Sequence, residues 1–191
     1  VVVTGRDRLS GLAVREGAWR LELPVLSPAE AADLLARVLG PGRVRAEPAS
    51  VAELAELCAY LPLAVRIAAA HLGNHAHHRI ASHVARLRTG NRLAALHVEG
   101  DKEAAVGAAF DLSYRSIPPP AQRMFRLLGL APGTDVTIPA AAALADVPPD
   151  DAAALLERLA DAHLIDEHAA GRYTFHDLLR RYAAERCTAC D

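Results

Sequence analysis

Lysine is nearly missing from this chain: of its 21 basic residues only Lys102 carries an ammonium. A phosphate cradle of the form G-x-x-x-x-G-K-[ST] needs that lysine. Lys102 lies in "EGDKEAAV", with neither the glycine spacing before it nor a hydroxyl after it. The acidic strand end that would hold Mg²⁺ is also absent from the opening stretch. The chain by itself is therefore expected not to hydrolyse ATP and not to be an enzyme. The arginine bias itself carries no functional weight.

Aromatic residues are also scarce, at 4%, while Ala and Leu dominate, which favours a helical architecture. Cysteine is limited to Cys58, Cys187 and Cys190. An odd count, with one member inside an apolar helical run, excludes a disulfide framework and points to a reducing cytoplasm. The terminal "CTAC" is a lone CxxC without a second ligand pair, and it reads as a frayed tail rather than a metal or redox site. Neither sign of charge is in excess. A net charge of -2 predicts no global attraction to nucleic acid or an anionic membrane. No apolar run reaches the length of a membrane span, and no signal peptide opens the chain. There is no initiating Met, and the chain starts inside a strand-like run, so it is expected to be a piece of a longer protein.

What is present is a 52% hydrophobic sequence of 191 residues, enough for one larger core or two small ones. "VVVT" reads as a buried parallel strand and "AWRLELPVL" as a short edge strand. From Ser27 the pattern turns helical. "SPAEAADLLARVLG" has Ser27 as cap, Pro28 in the first turn, Glu30 completing a capping box and Gly40 as the stop. "SVAELAELCAYL" repeats the device with Ser50 and Glu53. Further helices are predicted from Pro62 to about Asn74 and over about 80–96, which makes a compact four-helix bundle.

The polar stretch "HVEGDKE" marks a domain boundary near Gly100. Beyond it, helices are predicted over about 102–116, 119–130, 138–146 and 149–163. Two short strands follow around an "AAGR" turn, and a last helix begins near Asp177. That order describes a winged helix-turn-helix variant. Its second helix, "PDDAAALLERLADAHL", sets Asp150, Asp151, Glu157 and Asp161 against Arg158 alone. Such a helix would be repelled by phosphates in a groove, so no direct DNA contact is expected. His71, His75, His77 and His78 crowd "AHLGNHAHHRI" with no carboxylate or cysteine beside them. They are read as a solvated loop, and no metal is expected.

Three motifs, "VVVTGRDRL", "CAYLPLAVRIAA" and "RYTFHDLLR", resemble in this order those of the NB-ARC or STAND signal-transduction NTPases. Nearly the whole chain resembles the corresponding region of large actinobacterial antibiotic-pathway regulators, with "SPAEAADLLARVLG", "FRLLGLAPGTD" and "GRYTFHDLLRRYA" as further matching text. In that family a P-loop nucleotide-binding domain, a helical domain and a winged-helix domain meet around ADP or ATP. The resemblance implies a mostly α fold. Residues 1–26 would be a remnant of the α/β nucleotide-binding domain, 27–100 a four-helix bundle-like domain, and 101–191 a winged helix with a small β-hairpin.

The resemblance also assigns three nucleotide-binding residues. Arg6 matches the sensor arginine after a core strand, whose guanidinium forks onto phosphate oxygens. The family's Ser or Thr is replaced by Gly5, and a surface pairing of Arg6 with Asp7 is the alternative. Pro62 matches the proline that packs on adenine, with Tyr60 where the family has Gly. A first-turn proline without a ligand is the alternative. His176 matches the histidine of the Met-His-Asp motif, with Phe175 in place of Met. There it donates to the β-phosphate of ADP, while Asp177 would cap the following helix.

The function implied is the regulatory part of an ATP/ADP-dependent switch in a cytoplasmic transcriptional regulator, whose parent protein would be a STAND-type ATPase. Its partners would be an adenine nucleotide and the parent's other domains, with no membrane, and a monomer by default. The isolated chain is expected to bind ADP weakly at best. A stand-alone winged-helix transcription factor and a structural helical adaptor are the alternatives.

Overall fold

A computed structural model describes residues 1–5, 10–21, 23–75, 77–98 and 101–188. Among these, 68% of the chain is helical in 12 helices, with a small three-stranded antiparallel sheet. The mostly α, winged-helix-like fold class is borne out. The chain divides into two compact units, 23–109 and a second made of 1–22 with 110–191. Both are described separately.

The opening residues depart from expectation. Residues 1–5 have no regular structure, α1 (Ser10–Glu16) is a short helix, and the described part of "AWRLELPVL" forms no strand. Val1, Val2, Val3, Trp19, Leu21 and Leu23 are all exposed. A strand needs a neighbouring strand to form a ladder with its N–H and C=O groups, and among the described residues no strand pairs with these segments.

In the 23–109 unit, α2 (Pro28–Leu39) starts as predicted. Ser27 Oγ accepts the Glu30 N–H at 3.3 Å, and Glu30 Oε2 accepts the Ser27 N–H at 2.8 Å. Gly40, at φ 86°, ends the helix and leads into α3 (Pro41–Ala46), a helix the sequence pattern did not announce. The second capping box is not formed. α4 (Pro48–Leu57) begins with Pro48, so Ser50 lies inside it. Proline presets the first-turn φ and needs no N–H partner, which outweighs a serine two residues later.

α5 (Pro62–Asn74) follows as expected, then α6 (Ile80–Thr89). The predicted 80–96 helix breaks at Gly90, and α7 (Arg92–Ala95) restarts with the Asn91 side chain accepting the Ala94 N–H at 3.0 Å. β1 (His97–Val98) and β2 (Asp101–Ala105) pair antiparallel, so the helix expected from 102 begins only at Val106 as α8 (Val106–Ser116). The unit's core is leucine-rich: Leu35, Leu54, Leu72, Ile80 and Leu87 are buried to 1% exposure or less.

The other unit packs α9 (Pro119–Leu130) along α12 (Asp177–Thr188), with α10 (Ile138–Ala145) and α11 (Pro149–Asp161) completing the helices. Its sheet runs β3–β5–β4, antiparallel throughout, from β3 (Asp135–Thr137), β4 (Asp166–Ala169) and β5 (Arg172–Thr174). β4 and β5 are the predicted hairpin; β3 is an additional strand that pairs Val136 with Tyr173. Asp135 ties the three strands. It accepts from Arg172 Nε at 2.8 Å and meets His168 Nε2 at 3.2 Å. The Arg172 hydrogen bond holds its carboxyl below the ordinary value.

Candidate functional site

His176 lies between β5 and α12, where the strand-to-helix junction was predicted. Its carbonyl accepts the Arg180 N–H at 2.9 Å, the first bond of α12, so His176 itself occupies the capping position. Asp177, expected as the cap, is the first helical residue and exposed. Its charge there suits the positive end of the helix. The His176 residue is partly exposed, while its Nδ1 is shut off from solvent.

The placement of His176 is fixed by the residue before it. Phe175 is buried, with its ring centroid 5.4 Å from that of Phe125. Phe125 in turn meets Tyr114 at 5.8 Å and Tyr182 at 6.2 Å. The Arg180 guanidinium lies 5.9 Å over Phe175 and donates to the Gly133 carbonyl. An aromatic residue where the motif has Met thus serves as an anchor in the core. Sequence reading missed this cluster because its members are far apart in the chain; the only signal was where the few aromatic residues fall.

Further along α12, Tyr182 donates to Asp111 Oδ1 at 2.7 Å, Arg186 donates to the same oxygen, and Arg115 pairs with Oδ2 at 2.6 Å. Burial and the bond to Asp111 push the Tyr182 phenol well above its ordinary value.

Pro62 belongs to the other unit and stands exposed at the first position of α5. The turn before it is strained. Ala59 (φ 50°) and Tyr60 (φ 57°) are both left-handed without being glycine. The Ala59 N–H bonds to the Glu56 carbonyl and the Tyr60 N–H to the Ala55 carbonyl, which is a Schellman end to α4. Tyr60 therefore keeps the backbone that a glycine would adopt, and its carbonyl accepts the Leu26 N–H at 3.0 Å. Ala59→Gly is expected to raise stability by about 0.5 kcal/mol, because relief of ~1 kcal/mol of left-handed strain exceeds the added unfolded-chain entropy. Urea denaturation measures it; a lower midpoint would show that packing of the Ala59 methyl outweighs the strain.

Arg6 lies outside the described residues, as do Asp7 and Cys190. Among the described residues no group of three or more His, Cys, Asp or Glu could hold a metal. No described helix is long and apolar enough to cross a membrane.

The class that this arrangement defines is a helical unit and a winged-helix-like unit, the second carrying a histidine at the amino end of its last helix. No family model matches the chain. Over 182 residues, 95% of its length, the chain is 41% identical to the regulatory protein AfsR of Streptomyces coelicolor, and likewise to that of Streptomyces griseus. It spans 18% of the length of each. The chain is AfsR-like in sequence over 95% of its length.

Proposed function

We propose that this chain is the regulatory part of an ATP/ADP-dependent signal-transduction switch in a cytoplasmic bacterial transcriptional regulator of the NB-ARC/STAND kind, with the winged-helix unit as a nucleotide-sensing lid. The carrying observation is the position of His176, held by a buried aromatic residue at the amino end of α12. First-turn N–H groups and the helix dipole favour an anion there. Pro62 fits the same ligand: an exposed apolar ring with no N–H suits the edge of a base. Similarity to two regulatory proteins along 95% of the chain supports the regulator reading.

In this reading Arg6, Pro62 and His176 hold ADP or ATP, and the bound diphosphate keeps the lid closed. Phosphate cradle and Mg²⁺ ligands belong to another part of the parent protein, as does any ATPase activity. α11 exposes Asp150, Asp151, Glu157 and Asp161, which disfavours direct DNA contact by this unit. Partners are the nucleotide and the parent's other domains.

His176→Ala in the full-length protein is expected to weaken ADP binding about tenfold or more, the worth of one hydrogen bond to a charged group. It should also raise transcriptional output, since the lid opens when its ligand contact is lost. Calorimetric titration with ADP checks this, and unchanged affinity sinks the reading.

A further inference from the structure

We propose that the corner between α5 and α6 is a proton-operated latch, in which His83 takes up a proton and releases α6 from α4. His83 is the buried polar residue of the described core, 5% exposed. Arg86, one turn on, donates to its Nδ1 at 2.7 Å. A guanidinium has no acceptor, so Nδ1 must accept and the neutral ring carries its hydrogen on Nε2. Nε2 is sealed from solvent and meets no acceptor among the described residues. A second proton therefore has one place to go, Nδ1, and entering there breaks the Arg86 bond and sets two cations face to face.

Among the described residues, the charged groups that act on the ring share its sign. From α5, His71 meets the ring edge-on at 6.1 Å. From the turn, His75 and His78 act on it with the same sign and are stacked on each other at 4.9 Å. Arg43 of α3 donates to the carbonyls of Leu72, His75 and His78, which adds a further cation to the corner. Arg92 lies on α7, which packs against α6. The carboxylates of α4 and its cap are occupied elsewhere. Glu47 accepts the Ile80 and Ala81 N–H groups at 3.1 Å each and meets Arg79 at 3.6 Å. Glu53 pairs with Arg88, and Glu56 is exposed.

Burial first, then Arg86 and the three histidines, lower the His83 value to about 4 from an ordinary 6.5. A depressed value on a base means that the closed corner stays neutral while the opened one takes the proton. Closure is therefore unaffected above pH 6.5 and weakens steadily as pH falls from there towards 4. The same change strips Glu47 of its role, because α6 cannot leave without freeing the Ile80 and Ala81 N–H groups.

The test is hydrogen exchange followed by NMR on the 191-residue chain. Protection factors of α6 amides are expected to fall about tenfold between pH 7.5 and 5.5, which is the ratio of proton uptake by the opened and closed corners. In His83→Gln, which can still accept from Arg86, the fall should be under about twofold. A side-chain nitrogen titration of the unaltered chain gives a second reading that does not depend on a variant folding. His83 should be in the Nε2–H form at pH 7.5, and its imidazolium should appear in step with the loss of α6 protection. An equal fall in the glutamine variant would assign the effect to the surface histidines and overturn the proposal. So would unchanged protection in the unaltered chain, or an Nδ1–H tautomer.

Discussion

Gly129→Ala is expected to lower the stability of the winged-helix-like unit by about 2 kcal/mol. Helix propensity alone predicts the opposite, since alanine in a helix interior gains about 1 kcal/mol over glycine. Gly129 lies in α9 where α12 crosses it. A Cβ added there would sit 2.6 Å from the Ala183 Cβ, 2.7 Å from the Ala184 nitrogen and 2.9 Å from the Ala183 carbonyl carbon. Two of those three atoms are backbone and cannot rotate away. The helices must separate, and overpacking of this kind costs about 3 kcal/mol, more than propensity returns. Gly73→Ala is the matched control, a helical glycine with nothing within 4 Å of its would-be Cβ, and it should stabilise by up to about 1 kcal/mol. Thermal and denaturant unfolding of both variants measures the difference. Equal signs for the two would show that α9 and α12 are not held at this spacing.

Phe125→Ala should have a larger effect still, a loss of about 4 kcal/mol. The side chain is fully buried and its ring touches those of Tyr114, Phe175 and Tyr182, one from each of α8, the β5–α12 junction and α12. Removing it opens a cavity that three other rings line and cannot fill without leaving their own partners. A chain of this size has only about 5–15 kcal/mol to lose, so the unit should melt below the rest. Calorimetry checks this, and a loss under about 1 kcal/mol would mean that the ring cluster is not the core of this unit. A milder companion, Phe175→Leu, keeps an apolar side chain but loses the ring and its stacking with Arg180, and should loosen His176 without unfolding the unit.

Much of the helical pattern was legible because its signals are local. Ser27, Glu30 and Gly40 bracket α2 within a dozen residues, and Pro62 and Pro119 mark helix starts where the structure has them. The junction at His176 was legible too, although the capping role falls to the histidine and not to Asp177. What could not be read depends on distant partners. β3 is three residues long and exists because β5 pairs with it, and β1 with β2 carries no alternation of apolar and polar residues. The left-handed turn at Ala59–Tyr60 was hidden because neither residue is glycine. The contact at Gly129 was hidden because a glycine inside a helical run carries no mark of what lies opposite. At the candidate site, the residue types of Pro62 and His176 could be chosen from text, but the ring packing behind Phe175 could not.

The carboxylate of Asp111 gathers Tyr182 and Arg186 of α12 with Arg115 of α8, while Phe175 is wedged into the aromatic core just before α12 begins. The imidazole at its head and the guanidinium of Arg186 thus stand on one helix, about 15 Å apart at 1.5 Å per residue, each moored to the same cluster of rings.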